Sequence, residues 1–82
     1  MLNVKVELDA VRIQLAANAE LISRCKKLID NALTRMNLYN CLEYDEAYLP
    51  ILKKNKLRLL RLIEIDEKLL LHYDQLKRLE TR

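Results

Sequence analysis

The 82-residue sequence contains no glycine, no tryptophan and no phenylalanine, and its only proline is Pro50. Without glycine the chain has no Rossmann fingerprint and no P-loop, because both need a backbone that approaches phosphate with no Cβ in the way. These absences argue against the common nucleotide-binding enzymes. With 51% hydrophobic and 33% charged residues, the chain is too apolar for a disordered segment. It predicts a single, almost wholly helical domain.

Residue types that support catalysis or metal binding are also scarce. His72 is the only histidine, and the two cysteines, Cys25 and Cys41, lack the CxxC spacing of a zinc or redox motif. The sequence has no Glu-x-x-His pair, which is the usual metal-binding unit of helix bundles. No serine lies in a nucleophile motif. We therefore expect a protein that is not an enzyme and that needs neither a cofactor nor a metal.

The charge balance and the cysteine content bear on partners and location. Fifteen Lys and Arg residues against twelve Asp and Glu give a formal charge of +3, too small a surplus to predict nucleic-acid binding by itself. The first residues do not resemble a signal peptide, and no apolar run approaches the roughly 18 residues of a membrane span. Two widely spaced cysteines are typical of reduced thiols. The sequence predicts a cytoplasmic protein without a membrane partner.

Apolar residues in the first half advance by alternating steps of four and three, the heptad pattern of helices that pack side by side. The pattern holds for five repeats and predicts a helix over about residues 4–37. Leu21 and Leu28 widen the apolar stripe on one side, and Ala19 and Leu33 widen it on the other. The positions on the central line are Val4, Leu8, Val11, Leu15, Asn18, Ile22, Cys25, Ile29, Ala32, Met36 and Tyr39.

A second line with the same spacing follows Pro50. Asn37, Asn40 and the acidic residues between 43 and 46 supply turn and N-cap chemistry, and proline is best tolerated in the first turn of a helix. We therefore predict a turn over about residues 38–48 and a second helix over about residues 49–79. The second line consists of Leu52, Asn55, Leu59, Leu62, Asp66, Leu69, Tyr73 and Leu76.

Two long helices joined by one turn predict an all-α fold, a long antiparallel helical hairpin that forms one domain over residues 1–82. Each helix has an apolar stripe wider than one neighbouring helix can cover, so a single hairpin leaves apolar surface in water. Pairing of two hairpins into a four-helix bundle would bury that surface. The expected partner is a second copy, giving a homodimer, or another helical protein, and the sequence does not choose between them.

Three polar residues interrupt the two apolar lines: Asn18, Asn55 and Asp66. Buried polar side chains between helices cost stability, but they can fix the register and the choice of partner. The alternative is that the helices splay at these positions and that the side chains meet water. An unpaired Asp66 carboxylate among leucines would need a cation or would take up a proton.

The sequence supports two functions of different classes. The first is protein–protein association, as an assembly subunit, adaptor or chaperone-like binder that acts through apolar helix faces. Its predicted interface residues are Leu15, Ile22, Ile29, Leu59, Leu62, Ile63, Leu69 and Leu70.

The second function is a nucleic-acid-binding regulator, in which a block of cations contacts the phosphates of RNA or DNA. This basic block consists of Lys53, Lys54, Lys56, Arg58 and Arg61. We rank association first because acidic residues lie on both sides of the block and no aromatic residues alternate with its cations.

Overall fold

The computed structural model describes residues 3–39 and 42–81 and consists of two α-helices packed as a hairpin. Helix α1 spans Val4–Tyr39 and helix α2 spans Leu42–Glu80. The hairpin is 60 Å long, with a cross-section of 17 by 14 Å, as expected for two helices of this size at a rise of about 1.5 Å per residue. The predicted all-α antiparallel hairpin is confirmed, while its pairing into a four-helix bundle stays a prediction.

The buried side chains follow the two predicted heptad lines, and together these lines form the seam between α1 and α2. The buried hydrophobic residues are Leu8, Val11, Cys25, Ile29, Ala32, Leu52, Leu62 and Leu76. All of them lie on one of the two lines. A burial period of about 3.5 residues differs from the period of about 3.6 of a straight helix, so α1 and α2 must coil around each other to keep the seam closed.

Local hydrogen bonds fix the outer ends of the helices. The side-chain Oδ1 of Asn3 accepts a hydrogen bond from the Val6 amide at 3.3 Å, and the Asn3 carbonyl accepts one from the Glu7 amide at 3.0 Å. Asn3 is therefore the N-cap of α1 and satisfies an amide that has no partner within the helix. At the end of α2, the Thr81 hydroxyl donates to the Arg78 carbonyl at 3.0 Å.

The second helix begins earlier than the sequence predicted. It starts at Leu42 rather than near residue 49, so most of the predicted turn over 38–48 is helical. Asn40, the expected cap, lies outside the described residues. Pro50 is inside α2 and not in its first turn, which costs one backbone hydrogen bond. Tyr48, on the turn side of Pro50, already packs against the buried core, and this packing offsets that cost.

An aliphatic cluster lies near each end of the seam. The open-end cluster, far from the turn, consists of Leu8, Val11 and Leu76. The turn-end cluster consists of Ile29, Ala32 and Leu52. Tyr73 packs against the first cluster and Tyr48 against the second. Removal of this surface from water stabilises the hairpin by about 25 cal/mol per Å² of apolar area.

Between the two clusters the seam has a polar middle, formed by Asn18, Cys25 and Asn55. The Asn18 amide donates to the Leu62 carbonyl at 2.9 Å. The Cys25 thiol donates to the Asn55 carbonyl at 3.6 Å, and the Asn55 amide donates to the Ile51 carbonyl at 2.8 Å. Within residues 3–39 and 42–81, no buried side-chain nitrogen or oxygen lacks a hydrogen-bond partner. The polar middle therefore avoids most of the cost of burying polar groups.

Candidate interaction surfaces

Most of the predicted interface residues lie on the seam inside a single hairpin. Ile29 and Leu62 are buried between the helices. The half-buried seam residues are Leu15, Ile22, Leu59 and Leu69. Ile63 and Leu70 are exposed. The role of the seam residues toward a second chain stays a prediction, and the surface that is open to a partner lies on the two sides of the seam.

The three polar residues predicted to set the register differ in burial. Asn18 and Asn55 are buried and bonded in the polar middle. Asp66 is half-buried, and in the described part of the chain its carboxylate forms no hydrogen bond or ion pair. Its partial exposure keeps the carboxylate in contact with water, so it is not fully enclosed among leucines.

Each side of the seam is lined by one row of residues from α1 and one from α2. Leu28 of α1 lines a groove together with Ile51 of α2, whereas Arg12 and Lys77 both lie over the ring of Tyr73. These contacts identify the rows that share a side, and the heptad spacing extends them along each helix. The aliphatic flank comprises Glu7, Gln14, Leu21, Leu28, Arg35, Ile51, Arg58, Ile65, His72 and Leu79. The cationic flank comprises Lys5, Arg12, Ala19, Lys26, Leu33, Leu49, Lys56, Ile63, Leu70 and Lys77.

The aliphatic flank keeps large apolar side chains in water after the hairpin has closed. Each of these side chains is 36–49% exposed: Leu21, Leu28, Ile51, Ile65 and Leu79. Isolated residues on the outer surfaces, such as Ile13 at 71% and Leu38 at 73%, are more exposed, but single exposed aliphatic residues are common on proteins. A row of exposed aliphatic residues along a groove is instead typical of a surface that binds a partner.

The cationic flank combines a similar apolar content with charge of one sign. Its five charged residues are all cations, whereas the aliphatic flank has two arginines and one acid. The remaining five residues are apolar, and the large ones are 37–47% exposed: Leu33, Leu49, Ile63 and Leu70. The two flanks therefore differ mainly in electrostatics.

Tyr73 organises the open end of the cationic flank. Arg12 Nη2 donates to the Tyr73 hydroxyl at 3.2 Å, and its guanidinium carbon lies 5.6 Å from the ring centroid. The hydrogen bond to Tyr73 raises the pKa of Arg12 above its ordinary value. Lys77 Nζ lies 5.9 Å from the same centroid. Both cations also have local acids, with Asp9 at 3.6 Å from Arg12 and Glu80 at 3.5 Å from Lys77.

A second arginine–tyrosine pair lies on the aliphatic flank near the turn. Arg35 Nη1 donates to the Tyr48 hydroxyl at 3.1 Å, and its guanidinium carbon is 5.9 Å from the ring centroid. The pairs connect α1 to α2 on opposite flanks and at opposite ends of the hairpin. Sequence reasoning missed both pairs because the two members are far apart in sequence. Tyrosines on or next to the predicted seam were the only available signal.

The basic block does not form one face of α2. Its five members are exposed, and at about 100° per residue they spread over roughly 200° of the helix circumference. Lys56 belongs to the cationic flank and Arg58 to the aliphatic flank. The other three, Lys53, Lys54 and Arg61, lie on the outer surface. Cations that share one surface are instead spaced by seven positions, as Lys5 and Arg12 are, or lie on different helices. This spacing by sevens was the signal that sequence reasoning overlooked.

Other candidate sites of the sequence do not converge. His72 is exposed on the aliphatic flank, and Cys25 is a buried free thiol, while Cys41 lies outside the described residues. Among residues 3–39 and 42–81, no three His, Cys, Asp or Glu side chains are grouped to hold a metal ion. Over the same residues, neither helix has a segment that is both long enough and apolar enough to cross a bilayer.

Comparisons with known proteins do not assign a family. No protein-family model, no curated protein and no solved structure matches this chain. Function is therefore inferred from the seam and from the two flanks.

Proposed function

We propose that this protein is a non-enzymatic association module, in which two copies of the hairpin pair through their aliphatic flanks to form a four-helix bundle. The supporting observation is the row of five aliphatic residues that remains 36–49% exposed beside the closed seam. Pairing of two such rows removes apolar surface from water on both copies, at about 25 cal/mol per Å². Larger assemblies can then be built on this bundle, as expected for an assembly subunit or adaptor.

Charge favours the aliphatic flank over the cationic flank for pairing between identical chains. A two-fold symmetric dimer brings the same surface of both copies together. Two cationic flanks would bring together two rows of five cations, and like charges at an interface are strongly unfavourable. The aliphatic flank has Glu7 as well as Arg35 and Arg58, so charges of opposite sign are available when two copies meet.

Light scattering after size-exclusion chromatography of the full chain tests this proposal. We expect twice the chain mass over micromolar to near-millimolar concentrations. The double variant Leu28→Glu with Ile65→Glu should elute as a folded monomer, because four carboxylates would be buried against apolar residues in each dimer. Circular dichroism checks that the helical content is retained.

The matched control places the same two changes on the other flank, as Leu33→Glu with Leu70→Glu. These side chains are 39% and 47% exposed, against 47% for both Leu28 and Ile65. The control should remain dimeric. A wild-type monomer at the highest concentration contradicts the proposal, and so does an equal loss of dimer in both variants.

Nucleic-acid binding through the basic block is the alternative, and the spread of the block around α2 weakens it. If this alternative is correct, the protein binds RNA or DNA at about 50 mM salt and releases it at about 200 mM salt. Arg58→Glu should then abolish the complex. For location we propose the cytoplasm, and the free thiol of Cys25 inside the seam supports a reducing compartment.

A further inference from the structure

We infer that the cationic flank is a docking surface for an acidic amphipathic helix of a partner protein. This inference goes beyond the proposed dimer, because it concerns the opposite side of the hairpin. In the proposed four-helix bundle the aliphatic flanks face each other, and the cationic flanks remain on the outside. The partner helix would present leucine-like residues together with Glu or Asp side chains spaced by heptads.

Contacts across the seam show which residues of the cationic flank lie opposite each other. Each such pair, one residue from α1 and one from α2, is called a level. The Asn18–Leu62 and Cys25–Asn55 hydrogen bonds place the residues that follow them in sequence opposite each other. From the open end to the turn, this register gives the levels Lys5 with Lys77, Arg12 with Leu70, Ala19 with Ile63, Lys26 with Lys56, and Leu33 with Leu49. Neighbouring levels are one heptad apart, or about 10 Å. The cationic Lys26–Lys56 level therefore lies between two apolar levels, and a second cationic level lies at the open end.

This pattern of cationic and apolar levels matches the side chains of a third helix laid along the groove between α1 and α2. A helix with a heptad repeat presents its own residues at the same spacing of about 10 Å. Its carboxylates would pair with lysines beside the groove, as acidic residues do next to the seam of coiled coils. Its apolar residues would cover Ile63 and Leu70, which are 37% and 47% exposed. A nucleic-acid duplex would place phosphates and sugars over these aliphatic side chains without burying them against apolar groups.

The level formed by Lys26 and Lys56 contributes most to this inference. Arg12 and Lys77 already have acids nearby, Asp9 and Glu80. In the described part of the chain, neither Lys26 nor Lys56 lies within ion-pair distance of an acid. Lys26 and Lys56 thus bring two like charges to the middle of an apolar groove, and a partner carboxylate would relieve their repulsion.

Fluorescence anisotropy with a designed peptide tests the inference on the full chain. The probe is a labelled helical peptide with leucines at its heptad core positions and glutamates beside them, used below the concentration at which it self-associates. The control peptide has lysine in place of every glutamate. We expect saturable binding of the acidic peptide only. Lys26→Glu with Lys56→Glu should weaken binding by about tenfold.

The matched protein control changes net charge equally, as Lys27→Glu with Arg61→Glu, at exposed positions outside both flanks. It should bind the acidic peptide like the wild type. Equal binding of both peptides, equal weakening by both variants, or no binding would overturn the inference. A duplex RNA or vesicles of equal parts neutral and anionic phospholipid, bound in place of the peptide and sensitive to Lys26→Glu with Lys56→Glu, would overturn it in favour of that partner.

Failure of this inference is distinguishable from failure of the proposed dimer. The peptide measurement is repeated with Leu28→Glu and Ile65→Glu, which are designed to give a monomer. Each hairpin has its own cationic flank, so the monomeric variant should bind the acidic peptide with unchanged affinity. A wild-type chain that is monomeric but binds the acidic peptide rejects only the dimer, and a wild-type dimer that does not bind the peptide rejects only the docking surface.

Discussion

The two ends of the seam and its middle are built from different chemistry. The open-end and turn-end clusters are aliphatic, with Leu8 only 1% exposed, whereas the middle contains hydrogen-bonded Asn18, Cys25 and Asn55. Aliphatic packing depends little on direction, so a hairpin of leucines alone would tolerate more than one register. Hydrogen bonds depend on direction and form at one register only. We therefore expect the ends to supply stability and the middle to supply the alignment of α1 with α2.

This alignment matters for the surfaces proposed to bind partners. Each flank is assembled from one row of α1 and one row of α2, so sliding one helix along the other by a heptad would change which residues share a level. The level of Lys26 and Lys56 exists because Cys25 faces Asn55. The polar middle thus connects the packing of the seam to the pattern of charge on the outside.

We expect the largest effect on stability from a substitution that creates a cavity in the open-end cluster. Leu8→Ala removes a side chain that is fully buried against Leu76, and such changes cost about 2–5 kcal/mol of the free energy of unfolding. Urea denaturation followed by circular dichroism measures this loss, at a fixed protein concentration because association also stabilises the fold. The control Ile13→Ala, at a position 71% exposed, should change stability by less than about 0.5 kcal/mol. Similar midpoints for both variants contradict the assignment of the cluster.

We expect a substitution in the polar middle to change stability less, but to allow more than one alignment of α1 with α2. Asn18→Leu removes the bond to the Leu62 carbonyl and leaves no unsatisfied donor, so stability should stay constant or rise by about 1 kcal/mol. The variant should populate a second register, because the aliphatic seam no longer distinguishes one alignment from another. Doubling of backbone amide signals in NMR spectra measures this.

A matched variant keeps this test specific. Asn37→Leu makes the same substitution at an exposed position of α1 off the seam, and it should give one set of signals. A single set for Asn18→Leu, with the register of the wild type, means that Asn18 does not specify the alignment. Two sets for both variants would mean that added leucine, and not loss of the amide, causes the heterogeneity.

Much of this hairpin could be predicted from the sequence because a heptad pattern encodes the buried face directly. Leu8, Val11 and Leu76 were placed on the seam by spacing alone, and the structure buries all three. The start of α2 could not be predicted in the same way. Pro50 is most favourable in a first turn, but the packing of Tyr48 on the turn-end cluster extends the helix beyond it. Tertiary packing overrides local preference at that point.

The flanks were less accessible to sequence reasoning than the seam. The side of the hairpin on which a residue lies depends on how two helices align, and that alignment is a property of the pair. The sequence showed Lys53, Lys54 and Lys56 as neighbours, yet the helix distributes the block around its circumference. Conversely, Lys26 and Lys77 share a flank although 51 positions separate them. Charged residues that are neighbours in sequence therefore need not share a helical surface. Charged residues spaced by seven positions along a helix do share one.

The smallest effect is expected from the hydroxyl of Tyr73, at the boundary between the open-end cluster and the cationic flank. Its ring packs against the buried cluster, while its hydroxyl accepts a hydrogen bond from the exposed Arg12. Tyr73→Phe keeps the ring and loses only a bond in contact with water, where solvent replaces it, so the urea midpoint should not shift measurably. Tyr73→Ala also removes the ring and should lower stability, by less than the about 3–5 kcal/mol of a fully buried aromatic residue. Equal losses in the two variants would mean that the Arg12 bond, and not aliphatic packing, holds the open end together, and the division between stabilising ends and aligning middle would then be wrong.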